Sequence, residues 1–97
     1  MFVAINRIFV KREFRKDFEE RFKNRKRLVE KQEGFIRIEI LRPLQGEDYL
    51  VITYWKTEED FLRWVNSEDF KKAHQDSPPS YIFSRPNEFS AYEVVEF

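Results

Sequence analysis

Cysteine is absent from this 97-residue chain, and histidine occurs once. Without cysteine there is no disulfide frame, thiolate zinc site, iron–sulfur ligation or cysteine nucleophile. One imidazole excludes any site that needs two from a single chain, such as a His-rich zinc centre. Net charge is missing too. The 18 basic side chains balance 18 acidic ones, so no global field draws the chain to nucleic acid or anionic lipid. No apolar run nears the ~20 residues of a membrane span, and no signal-peptide pattern opens the sequence. A cytoplasmic setting is the expectation. Glycine is scarce, at two residues. No Gly-rich phosphate loop, serine-nucleophile motif or carboxylate metal cluster occurs.

What remains is ionic and aromatic. Charged residues make up 37% of the chain, yet it carries 11 Phe, 4 Tyr and 2 Trp. The length suits one domain spanning residues 1–97. A domain this small buries only roughly 60–65% of its unfolded surface. Large rings supply more buried area per ordered residue, and they also wall flat apolar pockets.

Residues 2–10 are rich in β-formers and read as a strand, with Asn6 interrupting one apolar face. Over residues 12–32 the period changes. Phe14, Phe18, Phe22, Arg25, Leu28 and Val29 recur at steps of three and four, which predicts one long amphipathic helix ended by Gly34. Residues 35–42 alternate, residues 43–48 hold Pro, Gly and Asp, and residues 49–56 form the returning strand of a hairpin. Thr57 is the expected N-cap of a second helix, with Phe61, Trp64 and Val65 as its stripe. Ser67 re-caps a further helical segment bearing Phe70, Ala73 and His74. From Asp76 to Asn87 three prolines predict a long loop, and residues 88–97 return to a strand.

The order β-α-β-β-α-β predicts an α+β, ferredoxin-like fold with an antiparallel sheet. Helices cover one face of such a sheet. The other is expected to be apolar, and pairing of two copies, sheet against sheet, would cover it.

Three residues stand out by position. His74 reads either as a metal-cofactor ligand or proton carrier, or as a helix C-terminal histidine favoured by the macrodipole. Asn6 either aims its amide into a pocket or bonds a loop backbone. Trp55 walls a pocket or fills the core, while Trp64 reads as core. The basic run Lys23–Arg27 reads as a solvated face from which an arginine could bind a carboxylate. An RNA-recognition strand would need more than the single Gly34-Phe35 pair.

These residues carry a resemblance. Asn6-Arg7, Glu20-Arg21-Phe22, Arg25, Glu33-Gly34-Phe35, Trp55-Lys56, and then Phe61, Trp64, Ser67, Phe70-Lys71 and Ala73-His74 resemble the antibiotic-biosynthesis-monooxygenase superfamily. Within it they are similar to the small bacterial haem-degrading monooxygenases of the staphylococcal iron-regulated type. The match spans about residues 2–74 and leaves the proline-rich stretch unmatched. The resemblance implies a dimeric α+β barrel with one haem pocket per subunit. It implies that His74 binds haem iron, that Asn6 donates a hydrogen bond to dioxygen, and that Trp55 presses on the porphyrin. Arg21 or Arg25 would pair with a propionate, and Phe22 and Phe70 would flank the disc. The product would be an opened tetrapyrrole plus iron, with electrons from an external donor. Two other classes stay open: a cofactor-free oxygenase of polycyclic phenols, and a dimer that binds haem or another ligand without turnover.

Overall fold

The computed structural model describes residues 1–75 and 77–97, so Asp76, which opens the expected loop, lies outside the described residues. Four strands form one antiparallel sheet: β1 (Phe2–Val10), β2 (Phe35–Leu41), β3 (Asp48–Trp55) and β4 (Phe83–Glu93). Their spatial order is β2-β3-β1-β4, the ferredoxin-like arrangement expected. Three helices follow the first and third strands: α1 (Arg15–Lys23), α2 (Glu58–Val65) and α3 (Glu68–Ala73). No helix among the described residues is long and apolar enough to cross a membrane.

The first helix is far shorter than the apolar spacing predicted. A 3₁₀ turn at Arg12–Phe14 leads into α1, which stops at Asn24, and a second 3₁₀ turn covers Val29–Lys31. The break falls on the run Lys23-Asn24-Arg25-Lys26-Arg27, which offers no apolar side chain to the core and sets like charges four residues apart. Arg25 folds back instead and donates to the Phe22 carbonyl at 3.1 Å, taking an end-of-helix acceptor. The redirected chain then buries Val29.

The last strand is also displaced. It begins at Phe83 and ends at Glu93, and it carries Pro86 within it. β4 is an edge strand, so a missing N–H costs nothing on its open side. Its pairing with β1 shifts register between Arg7 and Phe9 and again before Val10, which accommodates the proline. Buried Ile82 anchors the entry, accepting from the Lys11 N–H at 2.9 Å.

The hairpin forms as expected, with Gly46 at φ 81° in its turn. A bulge between Phe35 and Arg37 breaks the simple alternation, so Phe35, Ile38 and Ile40 share the face of Trp55, Thr53 and Val51. Gly34 takes φ 80° after the 3₁₀ turn, and a Cβ there would lie 2.0 Å from an Asp60 carboxylate oxygen. Glycine is required on both grounds.

The helix-covered face carries Phe2, Ala4, Asn6, Ile8 and Val10 of β1 opposite Trp55, Thr53, Val51 and Tyr49 of β3. Its core is split. One cluster gathers Phe2, Ala4, Val29, Trp55 and Trp64, and the other gathers Val10, Phe18, Tyr49 and Ile82. The uncovered face holds Val3, Ile5, Ile52 and Tyr54, and is more mixed than the apolar face expected. Arg37 lies 3.9 Å from the Tyr54 ring there, and Arg85 lies 3.8 Å from the ring of Phe9.

Candidate haem-type site on the helix face

The split core gives Asn6 its setting. Ala4 belongs to the first cluster and Ile8 packs on the second, so Asn6 falls at the seam between them. The seam crosses the sheet. Ile38 packs on the first cluster and Ile40 on the second, Val51 and Phe89 are the register partners of Asn6, and Phe89 is 57% exposed. Asn6 is half-buried, and its amide has no hydrogen-bond partner among the described residues. The loop-backbone bond that would have made it structural is absent among them.

On one side of the seam a short helical relay positions His74. Thr57 caps α2, accepting from the Asp60 N–H at 3.1 Å. The Ser67 hydroxyl then does two jobs. It donates to the Trp64 carbonyl at 2.7 Å, at the end of α2, and accepts from the Phe70 N–H at 3.1 Å, at the start of α3. The spacing Phe61, Trp64, Ser67, Phe70, His74 is therefore a mechanical linkage. Trp64 meets Phe70 edge-on at 5.3 Å, and the Phe70 ring lies 4.1 Å from the imidazole of His74.

His74 ends α3 and is exposed. Its Nδ1 lies 2.8 Å from the Phe70 carbonyl oxygen. A carbonyl only accepts, so Nδ1 carries the proton and the neutral ring keeps its lone pair on Nε2. A histidine held this way is both structurally placed and ready to ligate. The two readings of His74 left open above are compatible.

Trp55 requires a correction. It is 0% exposed, enclosed by Phe35 and Phe61 edge-on at 5.6 and 5.9 Å, and its indole N–H donates to Thr53 at 2.9 Å. It presents no surface to a ligand and is core. Trp64 is core as its helical spacing predicts, 7% exposed in the same cluster, and it is also the tryptophan coupled through Phe70 to His74. Its signal lay in the ten-residue separation from His74, which carries both onto one relay.

Phe22 and Arg25 line a cleft of about 660 Å³ that straddles the seam, together with Ile38 of the first cluster, Ile40 of the second, and Lys23, Arg27, Glu30 and Arg42. Its lining includes neither Asn6 nor His74. Arg21 stands on the exposed side of α1, paired with Asp17 at 3.1 Å. At the far end of the cleft, Arg42 grips both oxygens of Glu19 at 2.7 and 2.5 Å, and the Tyr49 hydroxyl donates to the same carboxylate. The Arg42 guanidinium, helped by Tyr49, holds the Glu19 carboxyl down at about 2. Burial, reinforced by Glu19, pushes the Tyr49 hydroxyl up to about 12. Sequence reading passed over this triad because its members lie far apart in the chain. Among the described residues no group of three or more His, Asp or Glu side chains is placed to hold a bare metal ion.

Comparison with known proteins agrees with this architecture. The family model described as antibiotic biosynthesis monooxygenase matches residues 1–76. A staphylobilin-producing haem oxygenase of Staphylococcus haemolyticus is 39% identical over 89 residues, covering 89% of this chain and 85% of the relative. One from Staphylococcus epidermidis is 40% identical over 83 residues, covering 82% and 79%. The solved structure of the Mycobacterium tuberculosis haem-degrader MhuD, with two haems bound in its active site, superposes with a TM-score of 0.83 at 32% identity, covering 100% of this chain and 98% of that one. With three-quarters of its length matched by the family model and these relatives aligned over most of theirs, this chain belongs to the antibiotic biosynthesis monooxygenase family.

Proposed function

We propose that this chain is a haem-degrading monooxygenase, acting as a cytoplasmic homodimer. Haem is the substrate, dioxygen is the oxidant, and an external donor supplies electrons. The observation that carries this reading is the state of His74. Its Nδ1 proton is held by the Phe70 carbonyl, which leaves Nε2 of this exposed residue without a partner among the described residues and able to bind haem iron. The relatives named as haem oxygenases support the same substrate.

The residues present fit a flat, apolar dicarboxylate. Phe70 and Phe22 offer aromatic rings, and Arg25 and Arg21 offer guanidinium groups for carboxylates. The Asn6 amide, with no partner among the described residues, can donate to dioxygen without acting as a base. Trp64 takes the role expected of Trp55, since it reaches the imidazole through Phe70. Bound haem supplies the iron that activates dioxygen. The chain's part is to ligate on one side, donate a hydrogen bond on the other, and keep the disc in place. The uncovered sheet face and the exposed Tyr92, Val95 and Phe97 support a second copy packing there. The need for a reductant supports a cytoplasmic setting.

Adding hemin to the purified protein is the test. A stoichiometric Soret band is expected, abolished or strongly shifted in His74→Ala. Reductant in air, with catalase present, is then expected to bleach the band and release iron. A band that persists would mean a binding protein without turnover. Oxidation of a polycyclic phenol with no haem bound would favour a cofactor-free oxygenase.

A further inference from the structure

Arg25 is already occupied. Its Nη2 donates to Glu30 at 2.7 Å, its Nη1 to the Phe22 carbonyl at 3.1 Å, and its guanidinium carbon sits 4.5 Å from the centre of the Phe22 ring. Its Nε is buried with no acceptor among the described residues. The second oxygen of Glu30 accepts from Arg27 at 3.2 Å. Phe22, Arg25, Arg27 and Glu30 all line the one cleft. The other carboxylate of that lining, Glu19, is taken by Arg42 and Tyr49. Glu30 is thus the anion shared by Arg25 and Arg27.

We propose that Glu30 is an internal stand-in for a substrate carboxylate. In the free chain it fills the position on Arg25 that a porphyrin propionate takes, and binding exchanges one carboxylate for the other. This rests on the haem reading above and goes beyond it, by assigning Glu30 a part in selecting among porphyrins. The chemistry of the arrangement supports it. Charge-assisted bonds from a guanidinium are among the stronger polar contacts, and leaving Arg25 and Arg27 unpaired in a half-buried cleft is unfavourable. Glu30 removes that penalty before substrate arrives. The exchange conserves the Nη bond, so a propionate keeps only a small advantage over a ligand that lacks one, set by what Glu30 gives up. The orphan Nε–H of Arg25 is a donor that Glu30 leaves unused, available to the incoming carboxylate. Arg27, more exposed than Arg25, keeps Glu30 paired once displaced.

Soret titration tests this with two probes, iron protoporphyrin IX and its dimethyl ester. Glu30→Gln removes the competing charge and keeps the shape. It is expected to tighten the diacid roughly 5- to 10-fold, about 1 kcal/mol, with ester affinity unchanged. Glu30→Asp is expected to move the diacid in the same direction by less, and serves if the Gln variant fails to fold. Arg25→Gln is expected to erase the preference for diacid over ester. Weaker diacid binding in Glu30→Gln, or equal changes for both porphyrins, would overturn the proposal and leave the haem reading standing. If the wild-type protein binds neither porphyrin, the functional reading fails, and this inference with it.

Discussion

The imidazole of His74 and the carbonyl of Phe70 are joined twice, by the backbone N–H of His74 at 3.2 Å and by its Nδ1 at 2.8 Å. Both bonds end on an oxygen with two lone pairs, so the ring is tied to its own helix by a rigid acceptor. The Nδ1-protonated tautomer is therefore expected in the free protein. Nitrogen-15 NMR of the single imidazole checks it: Nδ1 should show a pyrrole-like shift and Nε2 a pyridine-like one. The reverse assignment would remove the free lone pair on which ligation depends.

The two tryptophans are expected to separate cleanly on substitution. Trp55→Ala should destabilise the fold by about 3–5 kcal/mol, because it opens a cavity in the first core cluster. Trp64→Phe, which keeps an aromatic ring in the same cluster, should cost clearly less than Trp55→Ala, yet shift the Soret band or the product of haem turnover. Urea unfolding and hemin spectra on the two variants distinguish them. A spectral effect confined to conservative Trp55 variants would restore the assignment made from the sequence resemblance.

Ser67→Ala removes a cap and a helix-ending donor at one stroke. The expected loss is about 1 kcal/mol, a fall in Tm of roughly 4–8 °C for a domain of this size. Hemin affinity should also fall, since the same hydroxyl sets the angle between Trp64 and Phe70. Ser67→Thr, which keeps the oxygen, should recover both readouts.

The Glu19–Arg42–Tyr49 triad gives stability a pH signature. The Glu19 carboxyl sits at about 2 when folded against an ordinary 4.5, so the folded state binds fewer protons there. Its contribution is fully present above pH 4.5 and is lost as pH falls toward 2. The triad is partly exposed, so solvent screening keeps that contribution small. Tyr49 works at the other end. Its hydroxyl is raised from 10 to about 12, so its contribution is present below pH 10 and lost as pH rises toward 12. Urea midpoints across pH should fall at both ends, and Glu19→Gln should flatten the acid limb.

Local chemistry was legible wherever it acted alone. The alternation of β1, the turn of the hairpin and the caps at Thr57 and Ser67 all depend on residues a few places apart. The chain read from 12 to 32 as one helix because Leu28 and Val29 kept the apolar step. Whether that step continues a helix depends on what the run from Lys23 to Arg27 can touch, and the sheet gives it nothing apolar. Pro86 argued for a loop because its missing N–H would disrupt a central strand, and only the sheet order makes β4 an edge.

The candidate site divides in the same way. Residue types and spacing were enough to single out Asn6, His74, Phe70 and the arginines, since a lone imidazole near a helix end and an amide amid apolar neighbours are unusual in any fold. The choice between Trp55 and Trp64 needed contacts as well as spacing, because both are aromatic residues on apolar stripes. Both indoles are buried, and contact decides between them: Trp55 packs on Phe35 and Phe61, whereas Trp64 packs on Phe70, the ring that touches His74. The pairing of Arg25 with Glu30 and the unpaired state of the Asn6 amide are likewise tertiary facts. Polar groups are satisfied or left free by whatever the folded chain brings within about 3 Å of them, and the order of residues alone does not state that.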